Sequence, residues 1–299
     1  MDKRTKKITE VLLFIYLILF PFGQLPSFTA KISEASIRAH PADIVALVIA
    51  AVFLTKKFAK PNIWSHFKNL LYGLGFSLIF SLTIFEPQQL LIGFLYLLRL
   101  IGYSFFFLAI WNYLKRVAAR KILFGSLIAV SLFSSLFGLL QYFVYPDVRA
   151  LVEWGWDDHL YRLVGTFLDP SFTSIFLVFG FLGAFAAYIR TRKKYFLPLL
   201  AVILISITLT YSRAGYLALF AGLTTLLFIN KKLKRILSIL ALFLFILAAV
   251  PNWGSEGVRL LRTRSIFARL TSYSEAIALT SKSPVFGIGI PKSAFNSLK

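Results

Sequence analysis

One arginine stands between two long uncharged stretches of the chain. The sequence Leu209-Thr-Tyr-Ser-Arg-Ala-Gly-Tyr216 places Arg213 between the apolar runs 195–210 and 214–230. Each run is long enough to form a membrane-spanning helix, so we predict that two spans meet at Arg213 at one face of the bilayer. A cation there is costly unless water, a partner or an anionic ligand receives it. Arg213 is therefore a candidate for anion chemistry, and the alternative is that its side chain only snorkels to lipid headgroups.

A second arginine lies in a helical pattern further along the chain. Apolar residues recur with a period of 3.6 in the segment 265–282, which predicts a helix with a largely apolar side that includes Tyr273. Arg269 falls in that stripe, where a leucine would be expected. The pair Gly287 and Gly289 follows and permits close backbone approach or positive φ. The alternatives are that Arg269 touches lipid phosphate and that the glycines form a turn.

A third group of candidates lies between residues 146 and 171. Arg162 could bind an anion or pair with Asp169, although Asp169-Pro170-Ser171 is typical of a helix start. His159 is either an exposed loop residue or a base that takes a proton from a hydroxyl acceptor. Arg99, inside an apolar run, is interpreted as a satisfied structural cation or a pathway residue, and the alternative is a catalytic role.

The composition predicts the elements that position these residues. The chain is 58% hydrophobic and 15% charged, with a mean hydropathy of +0.77, which is typical of a polytopic membrane protein. It has no cysteine, which excludes disulfides and thiol chemistry, and its 3 histidines lack metal-ligand spacing. We therefore expect an all-α membrane protein with no metal and no cofactor.

Nine apolar runs predict nine transmembrane helices in a single membrane domain over 1–299. They lie at about 8–22, 42–55, 68–85, 90–113, 122–145, 172–189, 195–211, 214–230 and 236–250. Residues 251–299 are predicted to begin an external loop that carries the amphipathic helix.

The basic residues predict the orientation. With the N-terminus in the cytoplasm, five inside segments (the N-terminal tail, 56–68, 115–121, 190–194 and 231–235) hold 20 of the 33 Lys and Arg. This is the positive-inside pattern of a multi-pass plasma (inner) membrane protein. The net charge of +21 then serves mostly to orient the protein in the membrane, with anionic lipid headgroups as the partner of the basic segments. We predict no nucleic-acid partner. Apart from Arg99, which lies within a predicted span, the candidate residues all fall on the external face.

Three stretches resemble the O-antigen ligase and O-antigen polymerase superfamily. Thr210-Tyr-Ser-Arg-Ala-Gly215 resembles its Ser-Arg-Gly-type motif, and Arg162-Leu-Val-Gly-Thr-Phe-Leu-Asp-Pro170 resembles its Arg-x-x-Gly-Thr-Phe stretch. Arg269-x-x-x-Tyr273-x-x-Ala276, followed by Ser283-Pro-Val-Phe-Gly-Ile-Gly289, is similar to its second motif. The three stretches keep the order of the family and cover about 160–291.

The resemblance implies a fold like that of GT-C-type glycosyltransferases and a reaction without metal or nucleotide. Such enzymes move a glycan from undecaprenyl diphosphate to a glycolipid, a growing polymer or a protein on the external face. The resemblance also implies that Arg213 and Arg269 bind the diphosphate and are the catalytic candidates. By the same resemblance, the donor or its glycan is contacted by a further set of residues: Arg162, Tyr211, Ser212, Tyr273, Gly287 and Gly289.

The acceptor side leaves alternatives open. In the family an external histidine further downstream helps to deprotonate the acceptor, so we expect this chain either to be an N-terminal portion or to use His159 instead. The rival functions are a transporter or flippase of lipid-linked glycans and a non-catalytic fragment. Paired halves or broken helices at the midplane would favour a transporter, and the sequence shows no internal repeat.

Overall fold

Apolar helices make up most of the structure, a computed structural model. It describes residues 3–32, 35–54, 59–82, 87–154, 159–230, 233–249, 258 and 264–282. The helices in those ranges are α1 (Lys3–Leu19), α2 (Pro41–Leu54), α3 (Trp64–Ser81), α4 (Pro87–Tyr113), α5 (Val117–Val144), α6 (Pro170–Thr191), α7 (Phe196–Leu209), α8 (Arg213–Asn230), α9 (Leu233–Ala249) and α10 (Arg264–Lys282).

The first nine helices coincide with the nine apolar runs of the sequence. Three of them hold segments long and apolar enough to cross a membrane: Gly93–Tyr113, Val117–Val144 and Pro170–Thr191. Four shorter apolar segments lie in α2, α7, α8 and α9. The helical membrane protein is therefore confirmed, and the count of nine spans stays a prediction.

A short β-hairpin departs from the all-α prediction. Strand β1 (Phe28–Ile32) pairs antiparallel with strand β2 (Ala35–Ala39), with Phe28 opposite Ala39. Apolar residues, several of them β-branched or aromatic, alternate with polar ones in both strands, which favours extended backbone over helix. The hairpin lies between the first two predicted spans, where no regular element was expected.

The described chain divides into two compact units. Unit 1 contains α2, α3, α4, α10, the hairpin and most of α1. Unit 2 contains α6 to α9 and nearly all of α5, together with the loop before α6. The single membrane domain predicted for the whole chain stays a prediction beside this division.

In unit 1, an ion pair joins α2 to α4. Nη2 of Arg99 lies 2.8 Å from both carboxylate oxygens of Asp43, and the Tyr103 hydroxyl donates to the same carboxylate. The backbone N–H of His40 also donates to Asp43, at 3.1 Å. The charge of Arg99 is thus satisfied by a buried acid, as the structural-cation prediction proposed.

The core of unit 2 is formed by apolar side chains from α5 to α9. Fully buried members of this core include Phe181, Ile203, Leu219 and Leu223. Helices α6 and α8 approach closely, and α7 and α9 pack beside them. This bundle fixes the direction in which α7 ends and α8 begins, which is where the first arginine motif lies.

Candidate functional site

The corner between α7 and α8 is tight and buried. Thr210, Tyr211 and Ser212 connect the two helices, and their exposed fractions are 0%, 4% and 1%. Tyr211 has a φ of +49°, a left-handed conformation that costs energy for a residue other than glycine. The chain therefore passes from α7 to α8 in three residues, with local backbone strain at Tyr211.

Ser212 is the N-cap of α8. Its hydroxyl accepts a hydrogen bond from Gly215 N at 3.3 Å, and its carbonyl accepts one from Tyr216 N at 3.0 Å. A serine at this position satisfies an N–H group that the helix itself leaves without a partner. The structure thus gives Ser212 a local structural task, and its predicted contact with substrate stays a prediction.

Arg213 is the first residue of α8 and is partly exposed. The N-terminal end of a helix carries a partial positive charge from its aligned peptide dipoles. The first turn of a helix usually favours an acidic side chain, which offsets this charge. The cationic side chain of Arg213 adds to it instead, so the start of α8 attracts an anion.

Arg162 contacts the corner from the loop before α6, and it is only 2% exposed. Its Nε donates to the carbonyl of Thr210 at 2.9 Å, and its Nη2 donates to the carbonyl of Tyr211 at 3.4 Å. Its Nη1 lies 3.0 Å from Nε2 of His159. The guanidinium therefore holds two consecutive backbone carbonyls of the corner, and the predicted contact with diphosphate stays a prediction.

His159 is half-buried beside the guanidinium of Arg162. The arginine can only donate, so the ring nitrogen nearest to it serves as an acceptor. That nitrogen's lone pair is engaged by the guanidinium in this arrangement. The role of His159 as a base stays a prediction, and the structure adds a neighbour that competes for the same lone pair.

Gln141 of α5 positions the loop that carries Arg162. Its amide nitrogen donates to the carbonyls of Tyr145 and Arg162, at 3.1 and 3.3 Å. Its amide oxygen accepts from Val164 N at 2.9 Å and from Gly165 N at 3.3 Å. One buried side chain thus satisfies four polar groups of the loop.

The same loop ends in a capped helix start. The carboxylate of Asp169 accepts a hydrogen bond from Phe172 N at 2.7 Å, and Pro170 is the first residue of α6. The prediction that Asp169-Pro170 begins a helix is confirmed. Two residues near this start, Tyr161 and Leu168, also have positive φ, of 55° and 62°. Strained backbone thus occurs before and after Arg162 within its loop, as well as at the corner.

A pair of tyrosines anchors the corner from within. Tyr211 packs against Tyr142, Leu163, Leu209 and Val258 in a small buried cluster, and the side chains of Tyr211 and Tyr142 are hydrogen-bonded to each other. In this structure the Tyr211 ring faces the protein. Its predicted contact with the glycan donor stays a prediction.

Gly215 allows α6 and α8 to touch. A Cβ added there would lie 1.6 Å from Oγ and 2.6 Å from Cβ of Ser174. No side chain fits at that distance, so the glycine of the motif is explained by packing. The close approach fixes the first turn of α8 against α6.

An exposed ion pair lies in the loop before α6. Arg149 donates to both carboxylate oxygens of Asp147, and these bonds lower the pKa of Asp147 to about 2. The pair stays charged at neutral pH. Because both side chains are about half exposed, the pair contributes little to stability.

The second motif lies in α10, within unit 1. Tyr273 is 64% exposed, as are its apolar neighbours along the helix, Phe267 at 65% and Ile277 at 70%. Arg269 lies in the same helix, and its side chain is outside the described part of the structure. Gly287 and Gly289 also lie outside it. The predicted binding of diphosphate by Arg213 and Arg269 stays a prediction.

Sequence reasoning missed four residues that shape these sites: Gln141, Tyr142, Ser174 and Asp43. The first three are uncharged residues of α5 and α6, and nothing in their local sequence marks them. Asp43 carried a usable signal, since an acid and Arg99 occur in two separate apolar runs and an intramembrane charge needs a partner. In the ranges that the structure describes, no group of three or more His, Asp or Glu is arranged to hold a metal ion. The predicted independence from metal stays a prediction.

Residues 198–299 match the protein family described as O-Antigen ligase. That stretch includes the corner with Arg213 and all of α10, whereas Arg162 and His159 precede it. No curated protein and no solved structure matches the chain. The predicted relationship to the O-antigen ligase and polymerase superfamily is thus confirmed over this stretch, and it supports a membrane protein of polysaccharide biosynthesis.

Proposed function

We propose that this chain, whose residues 198–299 match the O-antigen ligase family, is a glycosyltransferase that uses a lipid-linked donor. The donor is a glycan on undecaprenyl diphosphate, and the acceptor is a glycolipid, a growing polymer or a protein hydroxyl. Transfer takes place at the external face of the plasma membrane. Arg213 and Arg269 hold the diphosphate as it leaves.

The chemistry explains why arginine is suited to this task. Breaking the bond between sugar and diphosphate leaves additional negative charge on the leaving group. The protein must place positive charge where that charge develops, and preorganised donors of this kind lower the barrier by several kcal/mol. Arginine stays protonated in a partly dry setting and offers two parallel N–H groups to phosphate oxygens.

The observation that carries the proposal is the placement of Arg213. It is a partly exposed cation at the start of α8, on a corner whose other side chains are buried. Helix dipole and guanidinium both favour an anion there. The long apolar tail of the donor suits the surroundings of such a corner, since α7 and α8 are apolar helices of a membrane protein.

The rival transporter function gains nothing from Arg99. In a transporter, an intramembrane cation often marks the path of the substrate. Here Arg99 pairs with Asp43, which is 6% exposed. The charge of Arg99 is thus neutralised by a structural partner, so it gives no support to a transporter function.

The substitution Arg213→Lys tests the proposal. Lysine keeps the charge and the long stem but loses the planar fork. We expect turnover of the complete gene product, reconstituted with undecaprenyl diphosphate-linked glycan and acceptor, to fall by at least about tenfold. Arg269→Lys should behave in the same way, while protein yield and membrane insertion stay normal.

The matched control is Arg149→Lys. Arg149 is an exposed arginine of the loop before α6, and its side chain pairs with Asp147. We expect this variant to retain its activity. Full turnover in both Arg213→Lys and Arg269→Lys would show that charge alone suffices, and the bidentate mechanism would have to be abandoned. Absence of transfer by the unsubstituted protein would refute the proposed function itself.

A further inference from the structure

The guanidinium of Arg162 is directed at the backbone of the corner. Its Nε and Nη2 point to the carbonyls of Thr210 and Tyr211, and its Nη1 points to His159. Arg162 and Thr210 are 48 residues apart in sequence. A buried arginine is therefore used here as a clasp between the loop before α6 and the start of α8.

A diphosphate would have to compete for a guanidinium that is already engaged. An arginine recognises a phosphate by presenting two adjacent N–H groups along one edge of the guanidinium. In Arg162 the edge formed by Nε and Nη2 faces two consecutive carbonyls, and Nη1 faces a ring nitrogen. The side chain is also 2% exposed. Three of its five N–H donors are thus directed at protein acceptors, and its burial leaves little room for a diphosphate to reach the other two.

The corner needs such a clasp because its backbone is strained. Tyr211 has a φ of +49°, and residues in such conformations persist only where the surroundings over-determine them. The carbonyl of Tyr211 is one of the two that Arg162 holds. Ser212 caps α8 immediately afterwards, and Arg213 follows. The contacts of Arg162 thus set the direction in which α8 starts and the place from which the Arg213 side chain leaves.

A second layer holds the clasp itself. Gln141 donates to the carbonyl of Arg162, and Leu163 N donates to the carbonyl of Leu209 at 2.9 Å. The loop and the end of α7 are thereby joined on both sides of the guanidinium. The loop that carries Arg162 is therefore held in place by these hydrogen bonds.

We propose that Arg162 is a positioning residue, which acts on glycan transfer only by holding the Thr210–Tyr211 backbone and thereby placing Arg213. This inference rests on the proposed function, in which Arg213 grips the diphosphate. It differs from the role that the family resemblance implies for Arg162, which is contact with the donor.

A double-mutant cycle separates the two roles. We expect Arg162→Gln alone to lower kcat/KM for transfer by at least about tenfold. In the Arg213→Gln background there is no cation left to place, so the same change should cost less than about threefold. Arg162→Lys keeps an ammonium group that can donate to a backbone carbonyl, and it should restore part of the activity. Losses that multiply across the cycle would mean that Arg162 touches the donor, and the positioning role would be refuted.

Hydrogen exchange provides a measurement that does not depend on activity. The amides of Gly215 and Tyr216, which bond to Ser212, should exchange at least about tenfold faster in Arg162→Gln than in the unsubstituted protein. They should stay protected in Arg213→Gln. They should also stay protected in Arg149→Gln, a control in which an exposed arginine is replaced. Amides of α2 in unit 1 serve as the internal reference for overall stability.

The two measurements distinguish the possible failures. If the unsubstituted protein transfers no glycan, the proposed function fails, and faster exchange at the corner would show only that Arg162 holds the backbone there. Unchanged exchange at Gly215 and Tyr216 in Arg162→Gln would overturn that role whatever the activity. If Arg162→Gln does not accumulate in the membrane, Arg162→Lys carries both measurements, with a smaller expected change in the same direction.

Discussion

Replacing Gly215 by alanine tests the contact on which the corner depends. The added Cβ would lie 1.6 Å from Oγ and 2.6 Å from Cβ of Ser174, and both residues are buried. Rotation of Ser174 could remove the first clash but not the second, so α6 and α8 must move apart. Overpacking of this kind typically costs 1–3 kcal/mol, and we expect a loss of about 2 kcal/mol in the free energy of unfolding.

The matched control is Gly125→Ala in α5. A Cβ added at Gly125 meets nothing within 4 Å. Alanine there should be neutral or slightly stabilising, because it has the higher helix propensity. The two variants make the same chemical change in two helices of unit 2, so their difference reports the contact with Ser174. Unfolding in detergent micelles, followed by heat or denaturant, measures both.

A compensating substitution makes the reasoning refutable. Ser174→Gly removes both Oγ and Cβ, after which the nearest atom to the new Cβ is the Ser174 backbone carbon at 3.6 Å, an ordinary contact. The double variant Gly215→Ala with Ser174→Gly should recover about half of the 2 kcal/mol loss, because the new glycine inside α6 itself costs up to about 1 kcal/mol. Equal stability of Gly215→Ala and Gly125→Ala would show that the helices do not touch as described.

Two further predictions concern orientation and the ion pair of unit 1. The chain has no cysteine, so single cysteines can be labelled without other substitutions; positions 60, 118, 192 and 233 should react from the inside, and 155, 213 and 270 from the outside. An inside location for 213 would remove the proposed mechanism. Asp43→Asn should lower the free energy of unfolding by about 2 kcal/mol, below the 3–5 kcal/mol of fully buried pairs because the Arg99 side chain is 39% exposed. Asp147→Asn should leave it nearly unchanged because that ion pair is exposed, and equal effects at the two sites would contradict the buried pairing.

The helices were readable from the sequence because hydropathy reports burial in lipid directly. Each of the nine apolar runs overlaps one helix, and the helices differ from the runs mainly at their ends. Helix α1 begins at Lys3, five residues before the apolar run, because charged residues can continue a helix beyond the hydrocarbon. The hairpin at 28–39 was not predicted, since two strands of five residues give too short a pattern to stand out beside long apolar runs.

The candidate site was readable only in part. The sequence could place Arg162 and Arg213 on the same predicted face, because the spans between them fix that face. It could not show that Arg162 reaches the carbonyl of Thr210, a contact across 48 residues. Such contacts depend on how α5, α6 and α7 pack, and packing is a property of whole faces of helices. For the same reason the partner of Gly215, which is Ser174 in another helix, left no mark in the motif.

The structure gives a physical reason for most residues in Thr210-Tyr-Ser-Arg-Ala-Gly215. The carbonyl of Thr210 receives Arg162, Tyr211 fills a buried cluster, and Gly215 admits Ser174. Ser212 caps α8, and loss of such a cap alone costs about 1 kcal/mol. Arg213 is the one partly exposed charged side chain among the six residues, all of which the structure describes. We therefore interpret the motif as a scaffold that presents one arginine. On this interpretation, a loss of activity in Ser212→Ala or Gly215→Ala indicates substrate contact only where the stability of the variant is unchanged.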